Sequence, residues 1–124
     1  MRLANEIYSE LVKIPLYDIH THIDVSHMTA RGLDDIILYH MIVSELYAAG
    51  CPSGERVPED RSEEEAIRRL EEAAPYFKYV QNSSLMWVAR TILKDLDGWD
   101  EPVTEDNWRE IHEIIRKKNA ETGI

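Results

Sequence analysis

His20 and His22 are the residues of this sequence best suited to chemistry. They lie in the stretch Pro15-Leu-Tyr-Asp-Ile-His-Thr-His-Ile-Asp24. Leu16, Tyr17 and Ile19 suit a short buried strand, and Pro15 can open one without losing a needed N–H. In extended chain, alternate side chains share a face. Both imidazoles are therefore expected to project together from the C-terminal end of a strand over residues 16–20. Two convergent ring nitrogens suit one divalent metal ion at roughly 2.0–2.1 Å. Asp18 and Asp24 have the same parity, and a carboxylate beside a metal-bound imidazole fixes its tautomer. The same spacing also serves ordinary surface or core histidines. Two ligands do not complete a site, since a catalytic zinc takes three protein ligands and a water.

Other polar residues have two readings each. His40 lies mid-helix among apolar neighbours, as a hydrogen-bonded core histidine or as a group presented to substrate beside the metal. His27, in the loop after the pair, reads as solvent-facing although it is within reach of a metal. Arg31 is the best local group for gripping a carboxylate with its planar fork; its plainer role is an ion pair with Asp34 or Asp35. Cys51 has no activating neighbour in sequence and reads as a structural loop cysteine. Trp87, Trp99 and Trp108 read as core. Glu63-Glu-Glu65 and Arg116-Lys-Lys118 read as solvated helix faces, and His112 as exposed.

The elements that must position these residues are mostly helical. Arg2 to Val12 has Leu3, Ile7 and Leu11 at helical spacing. A polar loop follows the strand from Asp24 to Gly32. Leu33 to Ala49 reads as one helix, apolar nearly all round and hence buried, with Asp34 and Asp35 favoured by the dipole in its first turn and Gly50 as its C′ residue. Ser62-Glu-Glu-Glu65 is a capping box opening another helix. Pro75 interrupts it and starts a new first turn. A helix over Leu85 to Leu96 is capped by Asn82 or Ser83, with Leu85, Trp87, Val88, Ile92 and Leu96 as its apolar set. Thr104 is expected to cap the last helix, which carries Trp108, Ile111, Ile114 and Ile115. The lone strand lacks a partner for its backbone groups within this chain.

With 124 residues, 44% of them hydrophobic and 31% charged, the chain suits one small domain with a core. A net charge of −10 argues against nonspecific binding to nucleic acid or anionic membrane. Cys51 is the single cysteine, so no internal disulfide forms, which fits a cytoplasmic location. No apolar run approaches the ~20 residues of a membrane span.

These segments together resemble a known family. Asp18-Ile-His20-Thr-His22 looks like the first-strand His-x-His of the amidohydrolase superfamily of metal-dependent (β/α)8 barrels. Leu33-Asp-Asp-Ile-Ile-Leu-Tyr-His40, continuing to Ala48-Ala-Gly50, resembles the uronate isomerase family, where a helix bearing Asp-His-Tyr-Lys-Trp-Arg ends in Ala-Gly. The following helix, proline and Asn82-Ser-Ser-Leu-Met-Trp87 resemble that family's Asn-Pro-Leu-Tyr-His-Trp segment. Asp97-Gly-Trp99 and Thr104 to Arg109 match the layout of the next loop and helix. The resemblance covers roughly residues 14–118. Met41, Ile42 and Ser44 stand where the family has Tyr, Lys and Arg, and Met86 where it has His.

The resemblance implies a mostly α chain forming the N-terminal part of a metal-dependent (β/α)8 TIM barrel. Residues 1–32 would supply an N-terminal helix, first strand and His-x-His loop, and residues 33–124 a helical insertion region. It implies His20 and His22 as ligands of a divalent metal, zinc foremost, and His40 as a catalytic, substrate-binding residue, with Arg31 also on the substrate. The implied activity is aldose–ketose isomerisation of hexuronates: D-glucuronate to D-fructuronate, or D-galacturonate to D-tagaturonate. Such a barrel needs about 250 residues, so this chain alone is expected to be inactive, and the full-length protein to be a possible homo-oligomer. A metal-dependent hydrolase of the same superfamily and a non-catalytic helical binding module are the alternatives.

Overall fold

The structure, a computed structural model, describes residues 2–15, 17, 29–52 and 62–122. Among these, every regular element is a helix: α1 (Arg2–Leu11), α2 (Leu33–Ile37), α3 (His40–Ala48), α4 (Glu63–Ala73), a 3-10 turn (Ala74–Tyr76), α5 (Phe77–Val80), α6 (Ser84–Asp97) and α7 (Trp108–Thr122). There is no strand or sheet among the described residues, which corrects the expected strand-plus-helix opening of a (β/α)8 barrel. The physical reason is visible in the sequence pattern. Apolar residues recur with helical period from Leu33 onward, and helices satisfy their own backbone groups. Most of the proposed strand, residues 16 and 18–20, lies outside the described residues.

The span read as one helix from Leu33 to Ala49 is two. Tyr39 is extended (φ −99°, ψ 137°) and separates α2 from α3. Leu33, Ile37, Leu38, Ile42, Val43 and Leu46 are all buried. On one straight helix these positions would be spread over most of the circumference. Breaking the helix at Tyr39 turns the chain so that both halves face one core. Tyr39, Met41 and Tyr47 are left exposed, which corrects the expectation of burial nearly all round.

Side-chain caps set the later helices. Ser62 Oγ accepts the Glu65 N–H at 3.3 Å, and Ser83 Oγ accepts the Met86 N–H at 3.0 Å. Each cap contributes about 1 kcal/mol. Pro75 lies in the 3-10 turn, where its missing N–H costs no helical bond. α6 ends at Gly98, whose φ of 74° is left-handed. The Gly98 and Trp99 N–H groups then bond the Lys94 and Leu93 carbonyls. Asn107, not Thr104, organises the entry to α7. Its side chain accepts the Thr104 N–H at 2.7 Å and donates to the Pro102 carbonyl at 2.9 Å.

One core joins these helices. α2 packs against α4, α6 and α7, while α3 packs against α5 and α6. Phe77, Leu70, Met86, Leu93, Val103, Trp108 and Ile111 fill the space between them. Cys51 is buried and reduced, its thiol 3.9 Å from the Glu72 carbonyl. Two apolar faces stay outside. α1 buries none of its residues. α6 turns Met86, Ala89 and Leu93 inward but leaves Trp87, Val88, Ile92 and Leu96 exposed. Of the apolar set expected on α6, Leu85 packs against the core while the other four face solvent, and Trp87 is 66% exposed rather than core. Among the described residues no helix is long and apolar enough to cross a membrane.

Candidate functional site

The polar residues that the fold brings together lie where the start of α2, the N-terminus of α4 and the middle of α7 meet. The approach begins at Thr29, whose Oγ1 donates to Asn119 Oδ1 of α7 at 2.5 Å. Arg31 follows and is gripped by Asp35. Its Nε and Nη2 donate to the two carboxylate oxygens at 2.8 and 2.7 Å, and its backbone N–H adds a third bond at 2.9 Å. The fork read as a carboxylate clamp therefore closes on a carboxylate of its own chain. Both side chains are three-quarters buried, which protects the pair from solvent screening.

Behind this pair sits His112, which is 3% exposed rather than solvent-facing. Its burial follows from position. Trp108, Ile111 and Ile115 are the buried residues of α7, and 112 completes the i, i+3, i+4, i+7 stripe. Nδ1 accepts the Leu33 N–H at 3.2 Å, so in the neutral ring Nε2 carries the proton. Nε2 is buried and has no hydrogen-bond partner among the described residues. Gly32 makes the ring's position possible: a β-carbon there would lie 2.4 Å from His112 Cε1 and 2.7 Å from Nδ1.

Asp34 Oδ1 is 3.9 Å from His112 Nδ1. Burial, reinforced by the neighbouring Asp35 charge, pushes the Asp34 carboxyl above its ordinary range. Burial also pushes His112 down, against the opposing pull of Asp34, with Arg116 adding to the fall and Glu63 and Glu113 resisting it. These residues border a cavity of about 280 Å³, lined on its polar side by Arg31, Asp34, Ser62, Glu63, His112 and Arg116. Arg116 is held by ion pairs to Glu63 and, at 3.4 Å, Glu113. The wall is equipped to hold polar groups. The Nδ1 lone pair of His112 is already occupied by the Leu33 N–H, so the ring offers no base there.

The His112 shift has a measurable consequence. The unfolded chain takes up a proton on this residue near pH 6.5, while the folded chain resists it to lower pH. The contribution is intact above pH 6.5 and is lost as pH falls below it, with a slope of at most about 1.4 kcal/mol per pH unit. Asp34 works oppositely and at more acid pH, where its ionisation with rising pH through 3.8 and above costs stability. Thermal unfolding followed from pH 7.5 to 5 is expected to show a declining midpoint in the native chain and a flatter profile in His112→Gln. Equal slopes would remove His112 as the cause.

The residues singled out in the sequence are not gathered here. His20, His22, Asp18, Asp24 and His27 lie outside the described residues. His40 is the first residue of α3, and its side chain also lies outside them. Among the described residues, no group of three or more His, Cys, Asp or Glu side chains is placed to hold a metal ion. Comparison with protein-family models, curated protein sequences and solved structures gives no match to this chain.

Proposed function

We propose that the protein takes part in aldose–ketose isomerisation of a hexuronate, in the manner of uronate isomerases. The observation that carries this reading is the succession of segments with its helix boundaries. His20-Thr-His22 comes first; a helix starting at His40 and closing at Ala48-Ala-Gly50 follows; then come a helix with Pro75 just beyond it, the Ser83-capped helix through Trp87, Gly98-Trp99, and a helix from Trp108. The reaction moves a proton from C2 to C1 and a hydroxyl proton from O2 to O1, which calls for positioned acid–base groups. His40 is proposed as one of them. His20 and His22 are proposed as two ligands of a divalent ion, zinc foremost, which as a Lewis acid would polarise substrate oxygens.

The test has two parts. Zinc content of the native chain is expected to be near equimolar, and to be lost in His20→Ala/His22→Ala. D-glucuronate and D-galacturonate, incubated with the complete natural gene product and zinc, are expected to give ketose of unchanged mass. Opening of a hexuronolactone by addition of one water, with no ketose from either acid, would favour a hydrolase. No turnover of either sugar acid would sink the isomerase reading. A non-catalytic helical module is the second reading, favoured by the apolar row Trp87, Val88, Ile92 and Leu96 left exposed on α6. It expects the double substitution to change neither metal content nor function.

A further inference from the structure

Two apolar helix faces of this chain lie open. On α1, Leu3, Ile7 and Leu11 stand at i, i+4 and i+8 with Tyr8 beside them, and all four are exposed. On α6, Val88, Ile92 and Leu96 repeat the same spacing and are exposed as well. At the Leu96 end this second row borders a largely apolar groove of about 260 Å³, walled by Ile36, Ile92, Leu96 and Ile115, with Asp97 and Lys118 among its polar groups. A ten-residue helix is marginal in water when nothing packs against it. α1 therefore needs an apolar surface to keep its shape, and α6 offers one. Within a single chain the two do not meet, since α1 buries none of its residues.

We propose that two copies of this chain exchange their α1 helices, the side carrying Leu3, Ile7 and Leu11 in each lying along Val88, Ile92 and Leu96 of the other. Matching i, i+4 ridges interdigitate in the commonest class of helix packing. Area supports the reciprocal arrangement. At roughly 100 Å² from each of these exposed side chains, one seating buries about 700 Å² and the exchanged pair about 1,400 Å², the size of a stable interface. Pairing α6 with α6 would leave both α1 stripes in water, and pairing α1 with α1 would leave both α6 rows there. The exchange covers both and closes on a twofold axis. Position supports it too. Thr29 and Ala30, the first described residues beyond the segment that carries α1, line the same groove. Each arm thus leaves the body beside the face that receives the partner's arm. Two chains of net charge −10 repel each other, but the proposed faces are locally balanced. Arg2 and Lys13 pair with Glu6 and Glu10 along the arm, and α6 sets Arg90 and Lys94 against Asp95 and Asp97.

The inference does not rest on the isomerase reading, since His20, His22 and His40 take no part in it. The test is sedimentation velocity on the full chain over a dilution series. The native chain is expected to run at twice the chain mass and to lose helical circular dichroism as it dissociates, because α1 frays when unseated. Ile7→Glu and Leu96→Glu each place a charge in both contacts, and each is expected to weaken the dimer at least tenfold. Both positions are exposed, so neither change disturbs the core. An equal mixture of the two variants is expected to form a heterodimer through the one seating that stays intact, α1 of the Leu96→Glu chain on α6 of the Ile7→Glu chain. Tyr79→Ser, an exposed position on α5, is expected to leave the native dimer unchanged. A native chain that stays monomeric overturns the proposal. So does a full-strength dimer in Ile7→Glu, which would mean that α6 faces pair alone, or in Leu96→Glu, which would mean that α1 helices do. Failure of the two variants to associate when mixed, or loss of the dimer in Tyr79→Ser, overturns it equally.

Discussion

Phe77→Ala is expected to lower the unfolding free energy by about 3–5 kcal/mol. Phe77 is the largest side chain in this core with no exposed surface. It opens α5, a helix of only four residues that has little stability of its own. What holds α5 in place is packing, chiefly against α3 and the preceding 3-10 turn. Removing the ring deletes transfer free energy and leaves a cavity that neighbouring helices on both sides keep from collapsing. Small domains have only about 5–15 kcal/mol of total stability, so the loss is a large share of it. Urea unfolding should show the midpoint falling with the slope unchanged. A loss below about 1 kcal/mol would mean that the site relaxes freely and that the packing around Phe77 is looser than described.

Gly32→Ala is expected to cost roughly 1–3 kcal/mol, for a reason confined to one contact. The Gly32 backbone (φ −166°, ψ −176°) is extended and suits alanine. The penalty is therefore steric: the added methyl would lie 2.4 Å from His112 Cε1, 2.7 Å from Nδ1 and 2.9 Å from Asp34 Oδ1. Relief requires the buried ring to move away, and its movement breaks the bond from the Leu33 N–H. A double-mutant cycle isolates the effect. In a His112→Ala background the methyl has room, so most of the Gly32→Ala penalty should vanish. A penalty that persists there would place the clash elsewhere.

Helix positions were largely legible in this sequence, because caps and terminal glycines carry local signals. Ser62, Ser83, Pro75, Gly50 and Gly98 each mark a boundary that the chain uses. Where a boundary depends on tertiary packing, the sequence misled. The break at Tyr39 has no glycine or proline to announce it; the need to bury both Leu38 and Val43 decides it. On α6, periodicity offered two apolar stripes, and only contact with α2 and α3 chooses Met86, Ala89 and Leu93 over Val88, Ile92 and Leu96. His112 was hidden by its charged neighbours, although its spacing from Trp108, Ile111 and Ile115 placed it on the buried face. The cavity itself was illegible, because its walls come from residues about eighty positions apart. The barrel opening is corrected because the described residues hold no strand to pair with the one read from Leu16, Tyr17 and Ile19, most of which lies outside them.

That separation also bears on the order in which the chain acquires its structure. From α4 through the 3-10 turn to α5, each element packs on the next one in sequence. The bond from Leu33 to His112 spans 79 residues and that from Thr29 to Asn119 spans 90. For a flexible chain, closing a loop of roughly 80 residues costs about 2 kcal/mol more than closing one of roughly 10. The α2–α7 clasp is thus the late step of folding, made once the middle helices have shortened the effective loop.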